Sequence, residues 1–190
     1  MSAPNRALLG RAWRHYSLSD DEGLRTIGKR LQRDGRIDSW DSFVRIVGWK
    51  APRVKGLIQR RHERKLRIAS QHAFELADRG EILEAIEALN DARVTGVNTR
   101  MASAILMFHS PRKFTVMDVK AWKALVYLGR LSPFTGYERP GDYPAYLEAC
   151  RGLALELHWG LRDTDRALWI IGDHAGDVPT DGRRGCPHCT

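Results

Sequence analysis

Two short segments contain the residue types best suited to chemistry. Residues 94–100 read Val-Thr-Gly-Val-Asn-Thr-Arg, and Asp118 follows eighteen residues after Arg100. Gly96 tolerates a positive φ and Asn98 is the residue type that tolerates it next best, so the stretch predicts a tight turn between two helices. A helix that begins on such a turn exposes backbone N–H groups, which bind anions such as a nucleic-acid phosphate. A phosphate site followed by a carboxylate indicates an enzyme that acts on nucleic acid.

Asp118 is the candidate catalytic residue. A carboxylate held in one position can stabilise positive charge that develops in a transition state, and it can orient or deprotonate an attacking water. Aspartate at the start of a helix is also a favoured N-cap, because it accepts hydrogen bonds from the first N–H groups. The two roles are compatible, since capping holds a carboxylate in position.

Together these segments resemble the helix-hairpin-helix (HhH-GPD) superfamily of DNA glycosylases. Its signature is similar to L-P-G-V-G-x-K-x-A, then an apolar helix, then V-D-x-H-x-x-R or V-D-V-H-x-W. The resemblance covers residues 94–102 and 118–122. Three positions depart from the signature: Thr95 replaces the usual proline, Asn98 replaces the second glycine, and Arg100 replaces the lysine of the lyase members.

The resemblance implies a DNA glycosylase of the base excision repair type, which flips a damaged or modified base and hydrolyses its bond with Asp118. Arg100 stays protonated and cannot act as the attacking amine, so we expect a monofunctional enzyme. Arg100 would then contact a phosphate or a base, or be an exposed first-turn arginine. In the family, carbonyls of the turn hold a monovalent cation. By position these would be Ala92, Val94 and Val97, which could hold K⁺ or Na⁺, and no cofactor is expected to be required.

The DNA contacts expected near the hairpin are Gly96, Asn98, Arg100, Lys120, Lys50 and Arg53. A hairpin of this kind can also serve packing alone. Trp49 could stack on an extruded base, or it could be a core tryptophan beside cations that suit a helix C-terminus. The basic run at residues 59–67 is either a solvated helix face or a source of non-specific DNA affinity.

Charge and composition favour a polyanion partner. The net charge is +8, and residues 1–67 hold 17 Lys and Arg against 7 Asp and Glu. No apolar run approaches the roughly twenty residues of a membrane span, and the N-terminus lacks an apolar signal core. We therefore expect a cytoplasmic monomer that binds double-stranded DNA and no membrane. Cys186, His188 and Cys189 look like a metal motif without a fourth ligand, or like an exposed thiol pair.

Apolar residues recur at helical spacing almost throughout, which predicts an all-α fold. The expected helices cover about residues 17–35, 38–52, 81–89, 101–108, 118–128, 146–157 and 161–171, and residues 54–78 are expected to form one long helix or two abutting helices. The short run at 113–117 is too short to build a sheet. The resemblance further implies two helical lobes with a cleft between them. One lobe would be residues 68–130, the other 1–67 with 131–172, and residues 173–190 would be a flexible polar tail.

A non-catalytic helix-hairpin-helix DNA-binding protein is the main alternative function, and a basic helical adaptor for RNA is a weaker one. Asp118 distinguishes the enzyme from the binder. A protein that only binds DNA has no use for a carboxylate beside its phosphate site, where the charge repels DNA.

Overall fold

The computed structural model describes residues 3–15, 19–133 and 139–174, and these ranges are all-α without a strand, which confirms the predicted class. The α-helices are α1 (Ala3–His15), α2 (Ser19–Asp34), α3 (Trp40–Lys50), α4 (Glu63–Arg79), α5 (Ile82–Asp91), α6 (Thr99–His109), α7 (Val119–Tyr127), α8 (Asp142–Leu157) and α9 (Leu161–His174). Two 3₁₀ helices, Pro52–Leu57 and Arg60–His62, lie between α3 and α4. Across the described ranges, no helix is both long and apolar enough to cross a membrane.

The structure differs from the sequence-based helix assignment in three places. Helix α1 was not predicted, because its apolar periodicity is short. In its described part, only Leu9 and Ala12 are fully buried. Residues 54–78 were expected to form one long helix or two abutting helices, but the 3₁₀ helices occupy the first part and a single α-helix, α4, begins only at Glu63. Helix α8 begins four residues before the expected start. The predicted tail lies outside the described residues from residue 175 onwards.

The chain divides into two compact units. Helices α2 to α6 belong to one unit, which covers residues 18–116 and 138–144. Helices α1, α7 and α9 and most of α8 belong to the other, which covers residues 1–17, 117–137 and 145–190. We call these the hairpin unit and the carboxylate unit, after the predicted site residues that they contain. The predicted lobe boundaries at residues 67 and 130 stay a prediction.

Helix α6 is the centre of the hairpin unit. Every residue from Met101 to His109 is buried, as expected of a helix that is apolar on all sides. Helix α2 approaches it closely at Gly28, where a Cβ would lie 3.1 Å from the Phe108 carbonyl oxygen. His109, at the C-terminal end of α6, stacks on Phe74 with ring centroids 4.0 Å apart. The burial of α6 fixes the position of its first turn and therefore of the preceding loop.

In the carboxylate unit, α7 packs against α9 and α8. A Cβ at Gly172 would overlap the Lys120 carbonyl, so the absence of a side chain at Gly172 permits the close approach of α9 to α7. On another side, Trp122 of α7 stacks on the fully buried Tyr146 of α8, with ring planes 10° apart and centroids 5.8 Å apart. These contacts hold the first turn of α7, which follows Asp118.

Candidate functional site

The turn between α5 and α6, which we call the hairpin turn (residues 92–98), has the tight geometry that its glycine predicts. Gly96 has φ 89°, in the left-handed region. The Val97 N–H donates to the Val94 carbonyl at 2.9 Å, which closes the turn. The exposed Arg93 also has a positive φ, 47°, which is uncommon for a residue with a side chain. The expected turn between two helices is therefore present.

Asn98 has a different role from the one expected of its residue type. Its backbone is extended, with φ −125° and ψ −178°, so the expectation of a left-handed conformation is wrong. Its side-chain oxygen instead accepts the Met101 N–H at 3.0 Å, and its carbonyl accepts the Ala102 N–H at 2.8 Å. An N-cap requires this extended backbone, because only then can the side chain reach back to the first helical turn. Asn98 thus fixes the first turn of α6.

Residues 50–62, which we call the basic segment, pack against the hairpin turn. A Cβ at Gly96 would lie 2.9 Å from the Ile58 Cγ2 and 4.0 Å from a Val54 methyl, so the turn rests directly on this segment. The segment contains five Lys or Arg and no Asp or Glu. Of these, Arg53, Lys55, Arg60 and Arg61 are exposed. The two stretches are thirty residues apart at their nearest ends, and the fold brings them together.

His62, at the end of the basic segment, joins it to the turn. Its Nδ1 lies 3.4 Å from the Thr95 amide nitrogen, which donates to it. Its Nε2 lies 3.3 Å from the Nε of Arg61. The Arg61 guanidinium has five N–H groups, of which His62 can accept only one, so it can donate to another acceptor at this edge of the turn.

Asp118, the candidate catalytic residue, lies in the carboxylate unit and is the N-cap of α7. Its backbone is extended (φ −141°, ψ 142°), its Oδ1 accepts the Lys120 N–H at 2.9 Å, and its carbonyl accepts the Trp122 N–H at 2.8 Å. The capping role expected of this residue type is confirmed. Asp118 is half-buried, so the capping bond holds a partly accessible carboxylate in a fixed position.

Polar side chains that the sequence did not single out lie near Asp118. The phenol of Tyr146 is fully buried, and burial, with Cys150 and the carboxylates of Asp165 and Asp118, raises its pKa well above the usual value. Burial, with Asp165, likewise raises the pKa of the Cys150 thiol. Asp165 is buried and forms an ion pair with Arg162. Tyr146 therefore stays protonated, as a hydrogen-bond donor in the field of two carboxylates.

Lys120 is engaged within its own unit. Its ammonium forms an ion pair with Asp173 and lies 4.0 Å above the ring of Trp169. Its side chain is 38% exposed. The predicted DNA contact at Lys120 stays a prediction, and any phosphate there would compete with Asp173.

The remaining predicted contacts lie in the hairpin unit. Lys50 is the last residue of α3 and is half-buried, Arg53 is exposed in the first 3₁₀ helix, and Arg100 is half-buried in the first turn of α6. Trp49 packs edge-on against Phe108, with ring centroids 5.3 Å apart, so its ring has a packing role. The structure thus groups Gly96, Asn98 and Arg100 with the basic segment, while Asp118 and Lys120 belong to the other unit.

The cation predicted at the hairpin would use backbone carbonyls. The Val94 carbonyl already accepts the Val97 N–H, which leaves it one lone pair, and Ala92 follows α5 with a helical backbone (φ −61°, ψ −14°). Among the residues described, no three His, Cys, Asp or Glu side chains form a group that could hold a metal ion. Cys186, His188 and Cys189 lie outside those residues.

No protein-family model matches the chain, and neither the curated proteins nor the solved structures contain a significant match to it.

Proposed function

We propose that the protein is a monofunctional DNA glycosylase. It would act as a monomer on double-stranded DNA in the cytoplasm, flip a damaged or modified base, and hydrolyse its N-glycosidic bond. No cofactor is required, and the carbonyls of the hairpin turn could hold a monovalent cation. The observation that carries the proposal is Asp118, a half-buried carboxylate held in place by the Lys120 N–H. Its place in the chain, eighteen residues after Arg100, matches the resembled family.

In the proposed reaction, the carboxylate of Asp118 faces the carbon from which the base departs. As the bond breaks, positive charge grows on the sugar, and the fixed carboxylate stabilises that charge without reorganising. The same carboxylate orients or deprotonates the water that attacks. The hairpin turn supplies phosphate contacts through backbone N–H groups at Gly96, Asn98 and Arg100, which position the duplex but do not read its sequence.

Hydrolysis without strand cleavage follows from the available amines. Arg100 cannot form a Schiff base, because a guanidinium keeps its proton. Lys120 is held by Asp173 and Trp169. We expect products to be intact strands bearing abasic sites, with no protein–DNA adduct trapped by borohydride. A strong trapped band would reject the monofunctional assignment, and its loss in Lys50→Gln would identify the amine responsible.

The test of the enzyme is a panel of duplexes carrying different damaged or modified bases, scored for abasic sites with wild type and Asp118→Asn. For a substrate that wild type excises, the variant should lose roughly 10²-fold or more of the rate. Its duplex affinity should be equal or slightly higher, because the carboxylate repels phosphates. Asp142→Asn is the matched control, since Asp142 also accepts a backbone N–H at a helix start (Arg139, 2.8 Å). Wild-type excision by Asp118→Asn would refute the assignment.

A non-catalytic DNA-binding protein is the second candidate. It is favoured by the capping bond of Asp118, which gives that carboxylate a structural role of its own. This candidate predicts duplex binding with no excision of any base in the panel. It also predicts that Asp118→Ala, which removes the helix cap, lowers the stability of the protein without changing any reaction.

A further inference from the structure

We infer that the basic segment and the hairpin turn form one surface for the phosphate backbone of duplex DNA, in which Lys55, Arg60 and Arg61 contact phosphates. The inference rests on the proposed function only in taking DNA as the partner. It assigns to residues 50–62 a share of the binding that the hairpin alone would otherwise supply.

The two stretches are structurally one surface. Ile58 fills the space beside Gly96, and His62 meets the Thr95 amide at 3.4 Å. Any ligand that reaches the amides of the turn therefore also comes close to the basic segment. The segment is short and partly 3₁₀, and its contacts with the turn fix its position.

Charge is the second argument. The basic segment has five cations without a carboxylate, and residues 92–100 add two arginines, again without a carboxylate. Arg60 is 77% exposed, and its nearest carboxylate, on Glu63, is 3.5 Å away. Exposed pairs of this kind contribute little, so Glu63 competes weakly with a phosphate. Concentrating like charges costs repulsion, which a polyanion offsets.

Donor geometry is the third argument. The ring of His62 can accept only one of the five N–H groups of the Arg61 guanidinium, so Arg61 retains donors beside the Thr95 amide. The stem of Lys55 lies against α3, with its Cδ 3.6 Å from where a Cβ of Gly48 would be. A phosphate oxygen is the acceptor that suits an amide and a guanidinium side by side.

The partner is duplex backbone rather than single-stranded nucleic acid. Single strands are bound by aromatic side chains on which bases stack, together with cations. Residues 50–62 and 92–100 contain no Phe, Tyr or Trp. A surface of cations and backbone amides without aromatic rings instead suits the regular phosphates of a duplex.

The test measures binding of the full chain to a fluorescein-labelled unmodified duplex by anisotropy, between 50 and 200 mM salt. The segment variant is Lys55→Gln/Arg60→Gln/Arg61→Gln. Each lost phosphate contact lowers the slope of log K against log salt by about 0.9, so the slope should fall by about 2 to 3. The dissociation constant in 0.1 M salt should rise at least about tenfold.

The matched control removes the same charge from exposed positions elsewhere, with the substitutions Arg25→Gln, Lys29→Gln and Lys123→Gln. Its slope should change by less than about 0.5, because it removes no phosphate contact. Equal losses in both variants would overturn the inference in favour of a general charge effect. If the segment variant does not fold, as judged by circular dichroism, Lys55→Gln alone should still lower the slope by about 0.9.

Further measurements distinguish this inference from the proposed function and from binding to other partners. Normal binding by the segment variant, while wild type excises a base, would refute the inference and leave the glycosylase intact. Loss of binding by the segment variant, while wild type excises nothing, would support the inference and refute the enzyme. Wild-type binding to phosphatidylserine vesicles or to single-stranded DNA that is tighter than binding to the duplex would overturn the choice of partner.

Discussion

Gly96 provides the sharpest test of the site, because the chain contains a matched glycine. Gly80 has φ 86° and Gly96 has φ 89°, and both belong to the hairpin unit. A Cβ at Gly80 would meet nothing within 4 Å, whereas a Cβ at Gly96 would lie 2.9 Å from Ile58 Cγ2. Alanine substitution therefore imposes the same backbone strain at both positions but a steric overlap at Gly96 alone.

The magnitudes follow from those two terms. A left-handed backbone costs an alanine about 1–2 kcal/mol, which is the whole expected effect of Gly80→Ala. Overpacking adds typically about 1–3 kcal/mol, so Gly96→Ala should cost about 2–5 kcal/mol in the free energy of unfolding. The assay is urea unfolding followed by circular dichroism.

A double-mutant cycle with Ile58→Ala isolates the contact. Removing Ile58 should recover the overpacking part of the Gly96→Ala cost, giving a coupling energy of about 1–3 kcal/mol. Ile58→Ala combined with Gly80→Ala should give a coupling energy of less than about 0.5 kcal/mol, since a Cβ at Gly80 would meet no atom within 4 Å. If Gly96→Ala costs no more than Gly80→Ala, or if the coupling is absent, the turn does not rest on the basic segment.

The folded Gly96→Ala protein should bind duplexes of any sequence more weakly than the Gly80→Ala protein does, because the turn contacts phosphates and not bases.

Two further predictions concern the carboxylate unit. A hydrogen bond from Arg130 holds the pKa of Glu156 at about 2, below its ordinary 4.5, so Glu156 stabilises the fold above about pH 4.5 and its contribution disappears as the pH falls towards 2. Glu156→Gln should therefore lower the urea midpoint of unfolding at pH 7, and this difference from wild type should disappear at low pH. The control is Glu148→Gln, which removes another ion pair of α8 and should have a smaller effect. Burial raises the pKa of the Cys150 thiol, so with the other two cysteines replaced by serine it should react with a disulfide reagent at least about a hundredfold more slowly in buffer than in urea. Equal rates in the two solvents would mean that the thiol is not buried in the folded protein.

The fold class could be predicted because most helices show the 3.6-residue periodicity of a buried face. Helix α1 was not predicted, because its buried stripe is short and its stability depends on packing against α9. The 3₁₀ region shows the opposite error, since it was predicted to be α-helical and is not. Val54, Leu57 and Ile58 fit a helical period, yet Leu57 is 62% exposed and the chain there is too irregular for an α-helix. Periodicity indicates which residues are apolar, not which are buried.

The site was predictable where a single residue determines its own conformation. Gly96 has the positive φ that glycine permits, and Asp118 has the capping bond that aspartate favours at a helix start. Asn98 was assigned the wrong conformation because asparagine suits two different positions, the left-handed turn and the N-cap, and the neighbouring helix decides between them. Nothing local to Ile58 or His62 indicates contact with a turn more than thirty residues away.

The capping bonds of Asn98 and Asp118 bear directly on function. In both, a side-chain oxygen accepts an N–H of the first helical turn, at 3.0 Å and 2.9 Å. For Asn98 this bond consumes an amide that could otherwise bind phosphate, so the anion-binding capacity of the hairpin is shared with the backbone around Thr95 and with the basic segment. For Asp118 it holds the carboxylate proposed to act on a substrate in one position. Side-chain capping thus reduces the number of hairpin amides that can bind phosphate, and it fixes the position of Asp118, the residue proposed to catalyse.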